Sequence, residues 1–131
     1  MLLGYVRRTR DGLEPVLQLK VIGSDKKWQT LVFVIDTGFT GYLAVTREML
    51  RQLGLPISGS QRSILADGLT SRCDVVVVTV DWDGVGRTFE AQVFDGDPLI
   101  GTRLLEGFDV SVSMNEGGIA EITKSIPLVP R

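Results

Sequence analysis

Trp28-Gln29-Thr30-Leu31-Val32-Phe33-Val34-Ile35-Asp36-Thr37-Gly38 is the stretch on which the reading of this chain turns. Its first eight residues become continuously apolar and β-branched, as expected of a strand buried on both faces. The run then delivers one acidic side chain, Asp36. A carboxylate at the end of a buried strand is costly to ionise unless something hydrogen-bonds it or it shares a proton. Thr37 is small, can donate and accept, and favours extended backbone. Gly38 lets main chain approach closely and offers an N–H with no side chain in the way. Together they can present a carboxylate at the floor of a cleft. An Asp in this position also caps ordinary turns, and by average residue usage the tripeptide arises by chance in roughly 3% of chains of this length. Its surroundings must therefore decide.

Outward from this stretch, most of the chain reads as strand. Glu14 to Ile22 alternates imperfectly and ends in the turn cluster Gly23-Ser24-Asp25-Lys26-Lys27. Tyr42 to Val45 is a further short strand. Thr46 is placed as an N-cap, with Glu48 in the first turn, Met49, Leu50 and Leu53 on one face, and Gly54 and Pro56 closing two turns of helix. Gln61 to Ala66 leads into Asp67-Gly68, a two-residue hairpin signal, and Thr70 to Trp82 turns at Asp83-Gly84 into Arg87 to Phe94. Leu99-Ile100-Gly101 precedes a short helical piece from Thr102 to Glu106. Phe108 to Met114 alternates and returns, after Asn115 to Gly118, through Ile119 to Ile122. The expectation is an all-β fold with one or two short helices, a small closed β-barrel or folded sheet, in a single domain spanning residues 1–131.

Composition removes several chemistries. The 131 residues include no histidine, which excludes Ser-His and Cys-His nucleophile pairs and every His-ligated metal site. A single cysteine, Cys73, excludes an internal disulfide and a CxxC redox pair, and is expected to point into the sheet as a small hydrophobe. A net charge of −2 gives no field to steer nucleic acid or an anionic membrane. The one basic cluster, Arg7, Arg8 and Arg10, is diluted by Asp11 and Glu14 and is read as a solvated hairpin edge. The apolar start precedes its arginines, the reverse of a secretory signal, so a cytoplasmic location is expected, with no membrane partner. Trp28 and Trp82 are read as hairpin packing. Asp81, Asp83, Asp95 and Asp97 fit no calcium-loop pattern, and no metal or other cofactor is expected.

Ile35-Asp36-Thr37-Gly38-Phe39-Thr40-Gly41-Tyr42-Leu43 resembles the active-site segment of retropepsin-like aspartic proteases, nearest to single-lobe prokaryotic members with an aromatic residue after the motif. Leu99-Ile100-Gly101, followed by the helix holding Leu104 and Leu105, is similar to that family's second landmark. Between them, Ala66-Asp67-Gly68 matches the tip of the flap hairpin. The resemblance covers about residues 14 to 123. It implies the acid-protease fold, Asp36 as the catalytic residue, Thr37 reaching a partner subunit and Gly38 positioning main chain near the carboxylates. It further implies Ala66, Asp67 and Gly68 as the substrate cover, with Ile100 and Gly101 supporting the active-site loop. Viral members often pair an Asp after the motif with an Arg after the second landmark; the corresponding positions here are Thr40 and Thr102.

The resemblance also implies the reaction. Peptide hydrolysis by this chemistry needs two carboxylates, one taking a proton from water and the other donating to the scissile carbonyl. That such a pair shares one proton is a general property of aspartic proteases. This chain has one Asp-Thr-Gly and no Asp-Ser-Gly, so a monomer holds half of a dyad. A two-fold homodimer is implied, bringing Asp36 against its copy, with peptide or protein as substrate. Leu2, Leu3 and Val6 and the tail Ile126-Pro127-Leu128-Val129 are candidates to bury surface at that interface or over the subunit's own core. The alternative is a non-catalytic dimeric peptide-binding or assembly module on the same fold. A metal-binding β-barrel is a third reading.

Overall fold

The computed structural model describes residues 1–64 and 68–126. Among the described residues, ten strands and two short helices follow the hydrophobic punctuation of the chain. They are β1 (Leu2–Thr9), β2 (Gly12–Ile22), β3 (Trp28–Ile35), β4 (Leu43–Val45), α1 (Arg47–Leu53), β5 (Gly59–Ile64), β6 (Thr70–Trp82), β7 (Val85–Val93), β8 (Leu99–Ile100), α2 (Thr102–Leu105), β9 (Phe108–Val112) and β10 (Ile119–Lys124). The fold is mostly β, as expected. All ten strands belong to one sheet in the order β5-β6-β7-β4-β8-β3-β2-β1-β10-β9, and β6 also pairs with β2. That extra pairing, Lys20 with Asp81 and Val21 with Val80, closes six of the strands into a ring. The pairs β5–β6 and β1–β10–β9 extend from it.

The ring's interior is the core. Leu17, Leu19, Val21, Leu31, Phe33, Ile35, Val76, Val78, Val80, Ile100 and Leu104 are all buried in one cluster. Each such side chain withdrawn from water contributes about 1.5–3 kcal/mol. The expectation that β3 is buried on both faces along its length needs correction. Its first half alternates, with Trp28 47% exposed, and only from Phe33 onward are consecutive residues buried. The reason is position: Gln29 and Thr30 pair only with β2, whereas Val34 lies between β2 and β8 and Ile35 pairs with β8, deep in the fold.

Local signals act where the sequence puts them. Thr46 Oγ1 accepts from the Met49 N–H at 3.1 Å, and Gly54 ends α1 in the left-handed conformation, φ 69°. Asp83 and Gly84, at φ 52° and 84°, make the two-residue turn joining β6 to β7. Trp82 is buried edge-on to Phe108, with ring centres 5.6 Å apart. The basic cluster lies at the β1–β2 hairpin, where Arg7 pairs with Glu14 at 2.8 Å and Arg8 with Glu116 at 3.4 Å. Val6 is buried and Leu2 packs against the core, whereas Leu3 and Ile126 are exposed. Residues 127–129, the rest of the apolar tail, lie outside the described residues. Among the described residues no helix is long and apolar enough to cross a membrane.

The two landmark segments meet through the topology. β3 and β4 are consecutive in the chain but not neighbours in the sheet, because β8 is slotted between them. It pairs parallel to β3 (Ile35 with Ile100) and antiparallel to β4 (Leu43 with Ile100). The connection 36–42 therefore has to cross the end of β8, where α2 begins.

Candidate active site

Asp36 is the first residue beyond β3. Its backbone N–H donates to the Ile100 carbonyl at 3.0 Å, which continues the β3–β8 pairing by one step and fixes where the side chain leaves the sheet. The carboxylate is half-buried, and Oδ1 accepts the Gly38 N–H at 2.9 Å. The Phe39 N–H turns back to the Asp36 carbonyl at 3.2 Å, closing a tight turn around the carboxylate. Thr37 and Gly38 at the apex are exposed, and Thr37 makes no side-chain hydrogen bond among the described residues.

What holds this loop is the start of α2. The N–H groups of Gly101, Thr102 and Arg103 donate to the carbonyls of Tyr42, Phe39 and Gly41, at 2.9, 2.8 and 3.2 Å. The first N–H groups of a helix have no partner inside it. Here they are satisfied by loop carbonyls that would otherwise be stranded. Three of the loop's carbonyls are thereby taken up by α2, while its Gly38 N–H is given to the Asp36 carboxylate. At positions 40 and 102 there is no ion pair, and backbone hydrogen bonds do the strapping.

Gly101 is required by this close approach. A Cβ there would lie 2.1 Å from the Gly41 carbonyl oxygen, which is backbone and cannot yield. The Phe39 ring fills the remaining space, its nearest atoms 2.6 and 2.7 Å from where Cβ atoms would stand on Gly41 and Gly101. The same ring meets Phe94 edge-on with centroids 6.0 Å apart. Sequence reasoning singled out Gly101 but missed Phe39 as the wedge. The signal was present, an aromatic side chain two residues before a glycine, but only the crossing of the two segments shows why both are needed.

Ile100, fully buried, and Gly101 thus lie directly against the loop. Of the expected substrate cover, Ala66 and Asp67 lie outside the described residues. Gly68 is exposed at φ 82°, between β5 and β6. Cys73 is half-buried, its Sγ 3.3 Å from the Asp74 carbonyl oxygen.

Two concavities differ in their relation to the site. The larger, about 530 Å³, lies beside α1 and is lined by Leu50, Leu55, Pro56 and Ile57 with Arg47 and Arg51 at its rim. Arg47 is committed to Asp74 at 2.9 Å, and that hydrogen bond and charge raise its already high pKa. The groove contains no carboxylate and no residue of the motif loop. The smaller, about 170 Å³, is lined by Gly41 and Tyr42 of the loop, Gln61 of β5, Glu90 and Gln92 of β7, and Arg103 of α2. Among the described residues no group of three or more acidic, cysteine or histidine side chains is placed to hold a metal ion.

Residues 17–105, more than half of the chain, match the aspartyl protease family. The chain belongs to that family. The matched span begins in β2 and ends with α2, so it contains both landmarks and the loop between them. The chain is also similar to the crystal structure of a retropepsin-like aspartic protease from Rickettsia conorii, at 19% identity over 95% of this chain and 92% of that one, with a TM-score of 0.48. No curated protein matches. The resemblance drawn from the motifs is borne out at the level of the family.

Proposed function

We propose that this aspartyl protease family member is an endopeptidase whose active site forms between two copies of the chain, with Asp36 and its symmetry mate as the catalytic pair. The observation that carries the reading is the half-buried Asp36 carboxylate, held by the Gly38 N–H on a loop strapped to α2. The chain's one Asp-Thr-Gly supplies only half of the dyad, which is the reason for invoking a dimer.

In this mechanism one Asp36 is ionised and its mate protonated, sharing a single proton. The ionised carboxylate takes a proton from a water molecule as the oxygen attacks the scissile carbonyl carbon. The protonated mate donates to the carbonyl oxygen, giving a tetrahedral gem-diol. Collapse of that intermediate breaks the C–N bond, and a carboxyl proton passes to the leaving amine. Thr37, exposed beside the carboxylate, is the residue proposed to reach across to the partner. Residues 66–68 are proposed to cover the bound peptide, and Ile100 and Gly101 to hold the loop in place. The cytoplasmic location expected from the sequence belongs to this reading as well.

Asp36→Asn tests the proposal, because it keeps the side chain's shape and hydrogen-bond acceptor and removes the ionisable group. Cleavage of a mixed peptide pool should fall by at least ~10³-fold, while sedimentation still shows a dimer with unchanged circular dichroism. An undiminished rate overturns the catalytic assignment. A wild-type dimer that binds peptides but cleaves none between pH 3 and 8 overturns it in favour of a binding module.

A further inference from the structure

The 170 Å³ pocket is built from four separate elements. Gly41 and Tyr42 belong to the loop that carries Asp36. Gln61 belongs to β5, the edge strand that runs toward the proposed cover. Glu90 and Gln92 project from the same face of β7, two residues apart, and Arg103 comes from α2.

Arg103 is an exposed side chain on an anchored backbone. Its backbone N–H is fixed on the Gly41 carbonyl, and its guanidinium carbon lies 4.7 Å from the Tyr42 ring centre. Phe89 stacks on the same tyrosine at 4.7 Å and 11°, so the ring is itself held. Yet the guanidinium makes no ion pair or hydrogen bond among the described residues, and five N–H donors remain to be offered to a ligand. Glu90 likewise has no ion-pair partner among the described residues and supplies only acceptors. The Gln61 and Gln92 side chains bond to each other at 3.3 Å. Arg87, 5.8 Å from the Tyr42 ring centre, lines a different cavity with Trp82 and Phe108.

A pocket lined by an arginine and a glutamate, neither of them ion-paired among the described residues, selects by charge as well as by shape. An acidic side chain would satisfy Arg103 but face Glu90. A basic one would satisfy Glu90 but face Arg103. An aliphatic one would leave both without partners. A carboxamide has a carbonyl oxygen to accept from Arg103 and an NH2 to donate to Glu90, with no charge to be repelled by either. We infer that this pocket binds a substrate side chain next to the catalytic centre and selects glutamine or asparagine, with Arg103 and Glu90 as the specificity-determining residues. The inference rests on the endopeptidase reading for its peptide substrate.

The test uses the full-length protein and a peptide series in which each position in turn carries Gln, Asn, Glu, Lys or Leu. At one position the wild type should cleave the Gln or Asn peptide about tenfold faster in kcat/KM than the Glu, Lys or Leu peptides. Glu90→Gln, a conservative change at an exposed site, should make Glu the preferred residue there. Arg103→Met should shift the preference toward Lys. The same peptides with a reduced, uncleavable bond are measured for binding by fluorescence anisotropy. Cleavage with no selectivity at any position, or selectivity that neither substitution alters, overturns the pocket assignment. Selective binding that inverts in Glu90→Gln, without any cleavage, overturns the endopeptidase reading and upholds the pocket. Absence of both cleavage and binding overturns both.

Discussion

Asp36, just after β3, and Asp81, near the end of β6, share the same local chemistry. Each is half-buried, and each has an Oδ1 that accepts a glycine N–H at 2.9 Å, from Gly38 and Gly84 respectively. Each follows a run of β-branched residues, and each precedes a reversal of the chain. Judged by the first turn of backbone, both are strand-end aspartates capping a turn. They differ in what the rest of the chain brings to them. The Asp81 turn closes a hairpin in two residues, Asp83 and Gly84, and its strands pair directly. The Asp36 loop must span from β3 to β4 across β8, and it is bound by three N–H groups from the start of α2. A carboxylate becomes a candidate for catalysis here because a distant segment immobilises its loop from below while leaving its outer side open.

Equal substitutions at the two sites should therefore have unequal consequences. The largest effect is expected from Asp36→Ala, with peptide cleavage reduced by at least ~10³-fold. Asp81→Ala in the same assay should stay within about twofold of wild type, and comparable losses at both positions would erase the distinction. Next comes Gly101→Ala, where the new methyl meets backbone oxygen at 2.1 Å. We expect about 3 kcal/mol of destabilisation in urea unfolding. Gly84→Ala meets open space and carries only its left-handed backbone, so about 1 kcal/mol is expected. If the two variants unfold at the same urea concentration, the α2 strap is not what holds the loop. Gly38→Ala is smaller again. Its methyl would stand 3.2 Å from Asp36 Oδ1, close enough to displace the carboxylate by a few tenths of an ångström. About a tenfold fall in kcat with an unchanged unfolding midpoint is the expected signature, and an unchanged kcat would argue against a role for that carboxylate geometry. The smallest effect is the stability change in Asp81→Ala, about 0.5 kcal/mol for one half-buried hydrogen bond, read as a shift in thermal midpoint with the cleavage rate preserved.

Much of the fold was legible because its signals are local. β6 from Thr70 to Trp82 has the bounds its composition suggested, since a long β-branched run between turn residues has few alternatives. The α1 caps, Thr46 and Gly54, act within one turn of backbone and need no tertiary help. β3 was read less well. Its apolar residues suggested burial throughout, but which of them are covered depends on where β8 pairs, and Leu99-Ile100 lies far along the chain. The site divided the same way. Asp36, Thr37 and Gly38 announce themselves as a tripeptide. Arg103 and Glu90 do not, because an arginine in a short helix and a glutamate on a strand are ordinary surface residues until the fold sets them around one pocket.

The sequence by itself determined the strand content, the turns, the family motifs and the arithmetic of one Asp-Thr-Gly without any histidine. Those follow from side-chain period, backbone freedom and the titration chemistry available. Tertiary structure alone decided that Gly101 must lack a side chain, that Phe39 wedges between two glycines, and that the N–H groups of α2 hold the loop that carries Asp36. Each depends on two segments some sixty residues apart being brought within hydrogen-bonding distance. Hydrogen bonds and steric overlap act over only a few ångströms, so they can be read only once the chain has closed on itself.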